Sequence, residues 1–279
     1  MQPEALPYWH PHTASVDWCE DNYAVSPYVV EFYNTLSSLA MVFFGEYGAR
    51  TAVVSNDPRL LRVFRLITVV GIGSVLFHAT LKHTTQMMDE LPMVWVMAYS
   101  TCCILQVAYG VTHRGLPWLF GLASILATVA VTATSGLVQF VTFHVIYETI
   151  QFTCIALVIH LYRQRRARFP QATRLVVRGL LLFVLACTCW GLDTYLCQMV
   201  NGKHLSWIPL NVQLHAWWHV FVSLAFYYMS TFLVFDTQLR SNYRPYIRYH
   251  YYILPVVVLG PPPRDALATE NRKSPPALE

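Results

Sequence analysis

The stretch Leu61–Leu81, LRVFRLITVVGIGSVLFHATL, decides how the rest of the chain is read. Beyond Arg65 no charged side chain interrupts it, and its one titratable group after that is His78, near the end. A helix needs roughly 20 largely apolar residues to cross a hydrocarbon core of about 30 Å, and this stretch is long enough. Six more stretches of the same kind lie at about 27–48, 88–109, 116–134, 139–161, 177–198 and 212–235. The first of these is the weakest, because it carries Glu31, Asn34 and Glu46. The connectors are short, which leaves no room for a soluble domain. The expected fold is therefore all-α: a bundle of seven transmembrane helices.

Composition agrees. Of 279 residues, 55% are apolar and 12% charged, about half the charged share of a soluble domain. A soluble enzyme, a disordered chain and a nucleic-acid binder are all disfavoured. The net charge of +4 is explained by topology instead. All but two of the 19 Lys and Arg, Lys82 and Lys203, fall on one side of the seven spans. Positive charge marks the cytosolic side, so the N-terminus is expected in the lumen and the C-terminus in the cytosol. The N-terminus lacks the basic start and apolar core of a signal peptide. Three regions follow: a lumenal segment 1–26, a helical transmembrane region 27–238, and a tail 239–279 that is polar and reads as partly disordered. Five of the seven Cys (Cys102, Cys103, Cys154, Cys187, Cys189) sit in apolar runs as small buried hydrophobes.

Titratable residues at membrane depth are costly and mark function. Under this topology Glu31, His78, Asp89, Asp193, His215 and His219 all lie toward the lumenal face, Glu31 in the first turns of the first span. His215 and His219, in HAWWH, stand at i and i+4 on one helical face. Two such His alone are more often polar packing. A third, His78, at the same depth completes the three-His arrangement, with an open position, of a catalytic zinc (Zn2+). Asp89 follows across a short turn and is placed to orient or deprotonate a metal-bound water; a helix N-cap is its other reading. Ser74, one turn before His78, is a candidate donor to a developing oxyanion or simply a back-bonded helix serine. Asp17, Glu20, Asp21 and Asn22 precede Glu31. Hard oxygens in a short loop suit calcium (Ca2+), although by spacing alone a solvated acidic loop is the commoner reading. Cys19 and Cys197 both face the oxidising side, as a disulfide or as two free thiols.

Four segments carry a resemblance: VDWCEDNYAVSPYVVEFYNTLS (16–37), GIGSVLFHATLK (71–82), MMDELPMVW (87–95) and QLHAWWH (213–219). In order and spacing they resemble the alkaline ceramidases, closest to the alkaline phytoceramidase branch, from about Ser15 to Arg248. The resemblance implies a seven-helix hydrolase of endoplasmic reticulum and Golgi membranes. Its substrate would be a ceramide-type lipid, cleaved at the amide into a sphingoid base and a fatty acid. It implies zinc on His78, His215 and His219, with Ser74, Asp89 and Tyr147 assisting. It also implies a stimulatory calcium on Asp17, Trp18 (through its carbonyl), Glu20, Asn22 and Glu31, and a Cys19–Cys197 disulfide. No obligate protein partner is implied. The alternative from another class is a zinc-containing heptahelical receptor of the adiponectin-receptor kind, whose N-terminus lies in the cytosol.

Overall fold

The computed structural model describes residues 7–167, 169–203 and 205–260. Seven helices follow in order: α1 Phe32–Ala52, α2 Pro58–Thr80, α3 His83–Val107, α4 Leu116–Thr132, α5 Gly136–Arg165, α6 Pro170–Val200 and α7 Leu214–Arg240. Local chemistry sets several of their ends. Asp57 caps α2 by accepting the Arg59 amide at 2.9 Å, with Pro58 at the first helical position. Leu81 closes α2 in the left-handed region, φ 45°, its amide returning to Phe77 O at 2.7 Å. A proline also opens α6. Leu196 breaks the helical φ/ψ of α6 one residue before Cys197.

Three expectations meet the structure, the first supported in part and the other two corrected. By length and composition, five helices (α2, α3, α5, α6 and α7) are suited to crossing a membrane, α4 is apolar but only 17 residues long, and α1 does not qualify. α1 is the polar one: Asn34, Ser38 and Glu46 interrupt its apolar run. Second, α1 begins at Phe32 rather than 27, so Glu31 stands just outside it in an extended conformation. Third, the fold is not wholly helical. Pro245–His250 (β1) and Leu254–Leu259 (β2) pair antiparallel where a polar tail was expected. The polarity of that tail comes mostly from residues 261–279, which lie outside the described residues, whereas LPVVVL is a strand buried against α7. Tyr227 and Tyr228 of α7 donate to Pro255 O at 2.6 Å and to Ile253 O at 2.5 Å.

The bundle has a dense half and an open half. α2 packs closely on α1 and on α3, α1 packs on α7, and α6 lies along α7. Glycine permits the closest approach. A methyl added at Gly73 would lie 1.9 Å from the Met88 carbonyl oxygen of α3, and one at Gly48 would enter the Phe64 ring. α5, in contrast, touches α4 and α6 only sparsely. In their most apolar windows, 67% of α3 and α7 is buried, against 33% of α5 and α6. Leu137, Val145, Leu181 and Val184 are exposed on the outside of the open half, as expected of side chains facing lipid.

Candidate active site

The three histidines come from two distant helices and meet at one end of the bundle. His78 ends α2 while His215 and His219 open α7, so the antiparallel course of these helices brings them level. Their ring centroids are 5.2 Å (His78–His215), 4.8 Å (His78–His219) and 4.7 Å (His215–His219) apart. One nitrogen from each lies within 4.8 Å of the others, and all three side chains are buried.

Surrounding groups fix the rings. His78 Nδ1 is 2.5 Å from Glu31 Oε2, and His219 Nδ1 is 2.8 Å from Ser37 Oγ. Both rings are thus held at Nδ1, which leaves Nε2 to face inward, the arrangement by which an outer partner sets tautomer and orientation. His219 Nε2 and His215 Nδ1 are buried with no hydrogen-bond partner among the described residues. Orphaned nitrogens in a protein interior are costly, and a divalent ion accepting imidazole donors would complete them. The donor set therefore fits a metal, and three imidazoles suit zinc. Asp193 of α6 accepts from the His215 amide at 3.2 Å and the Cys19 amide at 3.1 Å, tying α7 to the N-terminal segment. Its position was visible in the sequence as a titratable group in a span. Its partners were not.

Asp89 and Ser74 stand next to this cluster. α3 starts at His83 with Lys82 as its N-cap, so the N-cap reading of Asp89 falls away. Asp89 is buried in the second turn, beside Ser74 and Glu90, with Oδ1 unpartnered. Ser74 Oγ is 2.9 Å from Ser38 Oγ, which in turn donates to Asn34 O at 2.7 Å. A cavity of about 260 Å3 opens from here between α3, α5, α6 and α7. Asp89, His215 and Tyr147 all line it. The Tyr147 hydroxyl accepts from Gln151 Nε2 at 3.0 Å, so its own proton is free to point elsewhere. Trp190 and Trp218 face the cavity, while Trp95 and Trp217 are exposed on outer faces. Cys187, expected buried, is exposed on α6 and borders the same cavity.

The N-terminal segment folds over the three histidines. Trp18 stacks on His215 at 3.7 Å between centroids, and its amide donates to Glu31 Oε1 at 3.1 Å. Glu20 accepts the Tyr33 and Asn34 amides at 2.7 and 2.8 Å. Burial pushes the Glu20 carboxyl up to about 7, against the pull of those amides. Asn22 Nδ2 donates to both Asp17 oxygens, at 3.2 and 3.0 Å, while Asn22 Oδ1 is buried without a partner. Asp21 turns away and pairs with Lys203. Asp17, Trp18, Glu20 and Asn22 thus share one loop that Glu31 borders, and Glu31 also bonds His78; among the described residues only the three histidines lie close enough together to form a metal-holding group of His, Cys, Asp or Glu. Cys19 and Cys197 form a disulfide with a Cα–Cα distance of 5.4 Å. Asn211 Nδ2 donates to Cys19 O at 2.9 Å, a further tie that no pattern in the sequence announced.

Comparison with known proteins supplies the family. A family model described as Ceramidase matches residues 10–258. The chain is 31% identical to alkaline ceramidase 3 of Mus musculus over 259 residues, covering 91% of this chain and 95% of that one. It is 28% identical to the alkaline ceramidase of Arabidopsis thaliana, covering 91% and 96%. It is 31% identical to alkaline ceramidase YPC1 of Saccharomyces cerevisiae, covering 79% and 75%. With its helices apolar enough to cross a membrane and its matched span reaching from the N-terminal loop to the hairpin, the chain belongs to the ceramidase family of hydrolases.

Proposed function

We propose that this protein hydrolyses the N-acyl amide of ceramides to a sphingoid base and a free fatty acid. It would act as a seven-span protein of endoplasmic reticulum or Golgi membranes, with its N-terminus lumenal and its tail cytosolic. The observation that carries the reading is the buried three-imidazole cluster at the head of an apolar cavity. The family match favours it over a heptahelical receptor.

In this reading His78, His215 and His219 hold zinc, which supplies Lewis-acid polarisation of the amide carbonyl and a more acidic water. The chain's own groups do the rest. Asp89, with a free oxygen, takes the proton of the attacking water and returns it to the leaving nitrogen. Ser74 and Tyr147 donate hydrogen bonds to the developing oxyanion. Ser74 serves there only by giving up its bond to Ser38, whose own proton is spent on the Asn34 carbonyl, since a serine donates once. Glu31 and Ser37 hold the imidazoles so that their inner nitrogens converge. The cavity takes the hydrocarbon chains of the lipid and excludes water from the amide.

Calcium stimulation follows if Asp17, the Trp18 carbonyl, Glu20, Asn22 and Glu31 hold Ca2+. Glu31 also fixes His78, so filling the loop stiffens the catalytic end. Asn22→Ala is the cleaner test of this loop, because Glu31→Ala disturbs both clusters. It should weaken calcium activation while leaving zinc content intact. The central test is metal analysis of the purified protein together with fatty-acid release from a ceramide panel. Full hydrolysis by a His78→Ala protein that binds no zinc would defeat the reading.

A further inference from the structure

Glu90 is unused by the chemistry above, yet it is among the most deliberately held side chains in the bundle. It is 5% exposed and lines the same cavity as Asp89 and His215. Gln86 Nε2 donates to its Oε1 at 2.8 Å, and Gln139 Nε2 of α5 donates to its Oε2. Gln86 Nε2 also reaches Gln139 Oε1 at 3.0 Å, and Gln86 Oε1 accepts the Ser15 amide at 2.7 Å. The Gln86 amide is thereby spent on this network, and Gln139 contributes one N–H and its oxygen to it. Each carboxyl oxygen has one protein donor and retains acceptor capacity toward the cavity.

Opposite in character is the Trp18 indole. It lines the same cavity, and its Nε1 is buried with no partner among the described residues. An indole N–H only donates, and a carboxylate only accepts. A hydroxyl does both. An acceptor and an orphaned donor on the wall of one largely apolar cavity, beside the reacting groups, form a site for alcohols. The N-terminal segment carries Trp18 and, through Ser15, braces the Glu90 network, so the two halves of the site are set by one piece of chain.

We propose that Glu90 and the Trp18 indole N–H form a head-group subsite that recognises the hydroxyls of the sphingoid base. The inference rests on the amidase reading and deepens it. The C1 and C3 hydroxyls of a ceramide lie only a few bonds from the amide nitrogen, so a lipid placed with its amide at the histidines presents them to this wall. Its acyl and sphingoid chains extend along the apolar remainder, past Phe143, Phe152 and Phe183. Glu90 is then a specificity determinant, acting on which lipid is accepted rather than on the bond cleaved.

The test uses the full-length, zinc-loaded protein and three substrates of equal acyl chain: a ceramide, its 1-deoxy analogue and its 3-deoxy analogue. Wild type should favour the ceramide over at least one analogue by about 100-fold in kcat/KM, since a site built for a hydroxyl leaves its polar groups unpaired without it. Glu90→Gln and, separately, Trp18→Phe should each cut that ratio by about tenfold, mainly through KM. Zinc content should be unchanged in the Glu90→Gln protein. The proposal is overturned if wild type treats all three lipids alike. It is equally overturned if both variants slow every substrate by the same factor, the mark of a mere tie between α3 and α5. Wild type that cleaves no ceramide would remove the amidase reading itself; active wild type without discrimination would remove only the subsite.

Discussion

α2 meets α1 and α3 so closely that a single methyl between α2 and α3 has nowhere to go, with α7 packed on α1, whereas α5 stands away from α4 and α6 with a cavity beside it. The dense half carries the three histidines, Asp89 and Ser74; the open half contributes Tyr147 and the walls of the chain pocket. Division of labour explains the difference. Imidazoles must be held to a fraction of an ångström for a metal. Hydrocarbon chains need only an apolar space of adequate size.

This contrast can be broken most directly at the histidines. His78→Ala or His219→Ala should lower ceramide hydrolysis at least about a thousandfold and abolish zinc binding, measured by fatty-acid release and metal analysis. A milder perturbation reaches the same ring from outside: Ser37→Ala removes the partner of His219 Nδ1 and should weaken zinc affinity about 10- to 100-fold in a chelator competition. Next, the two halves should respond oppositely to the same substitution. Gly73→Ala should destabilise the protein by about 1–3 kcal/mol because its methyl meets backbone. Gly121→Ala in α4, with nothing within 4 Å, should be neutral or stabilising by about 0.4–1 kcal/mol. Thermal unfolding in detergent would compare the pair, and equal costs would erase the distinction between halves.

The smallest effect is expected at the far end of α2. Burial opposes ionisation of Asp57, but donation from Arg59 outweighs it and holds the carboxyl below its usual 3.8. Its contribution is therefore complete above about pH 3.8 and is lost as pH falls below that value. Asp57→Ala should cost about 1 kcal/mol at neutral pH, a difference that shrinks in acid, as read from paired melting curves at two pH values.

The helices were legible because a run of apolar residues states its own length, and the observed boundaries fall within a few residues of most expected ones. His78, His215 and His219 were legible because titratable groups stand out in such runs. What could not be read was anything that depends on neighbours across the bundle. Nothing in the spacing of Ser37, Asp193 or Asn211 says that they face His219, His215 and Cys19. The Gln86–Glu90–Gln139 network is invisible for the same reason: amides carry no pattern until α3 and α5 are side by side. The hairpin was missed because LPVVVL, six residues long, was averaged with the polar residues that follow it. Glu31 was placed inside a helix because hydropathy cannot see that a carboxylate bonded to His78 ends an extended segment.

The Cys19–Cys197 bond joins residues 178 positions apart, and this sets an order of events during biosynthesis. The N-terminal segment leaves the ribosome first, but the thiol, the carboxylate and the carboxamide that anchor it, on Cys197, Asp193 and Asn211, are made near the end. Until α6 and α7 have been made, the early segment is held only by its ties to the end of α2 and the start of α3, and Trp18 has no His215 to cover. The newborn protein can have its first five helices complete and still lack this closure, the three-histidine end coming together only as the last part of the chain arrives.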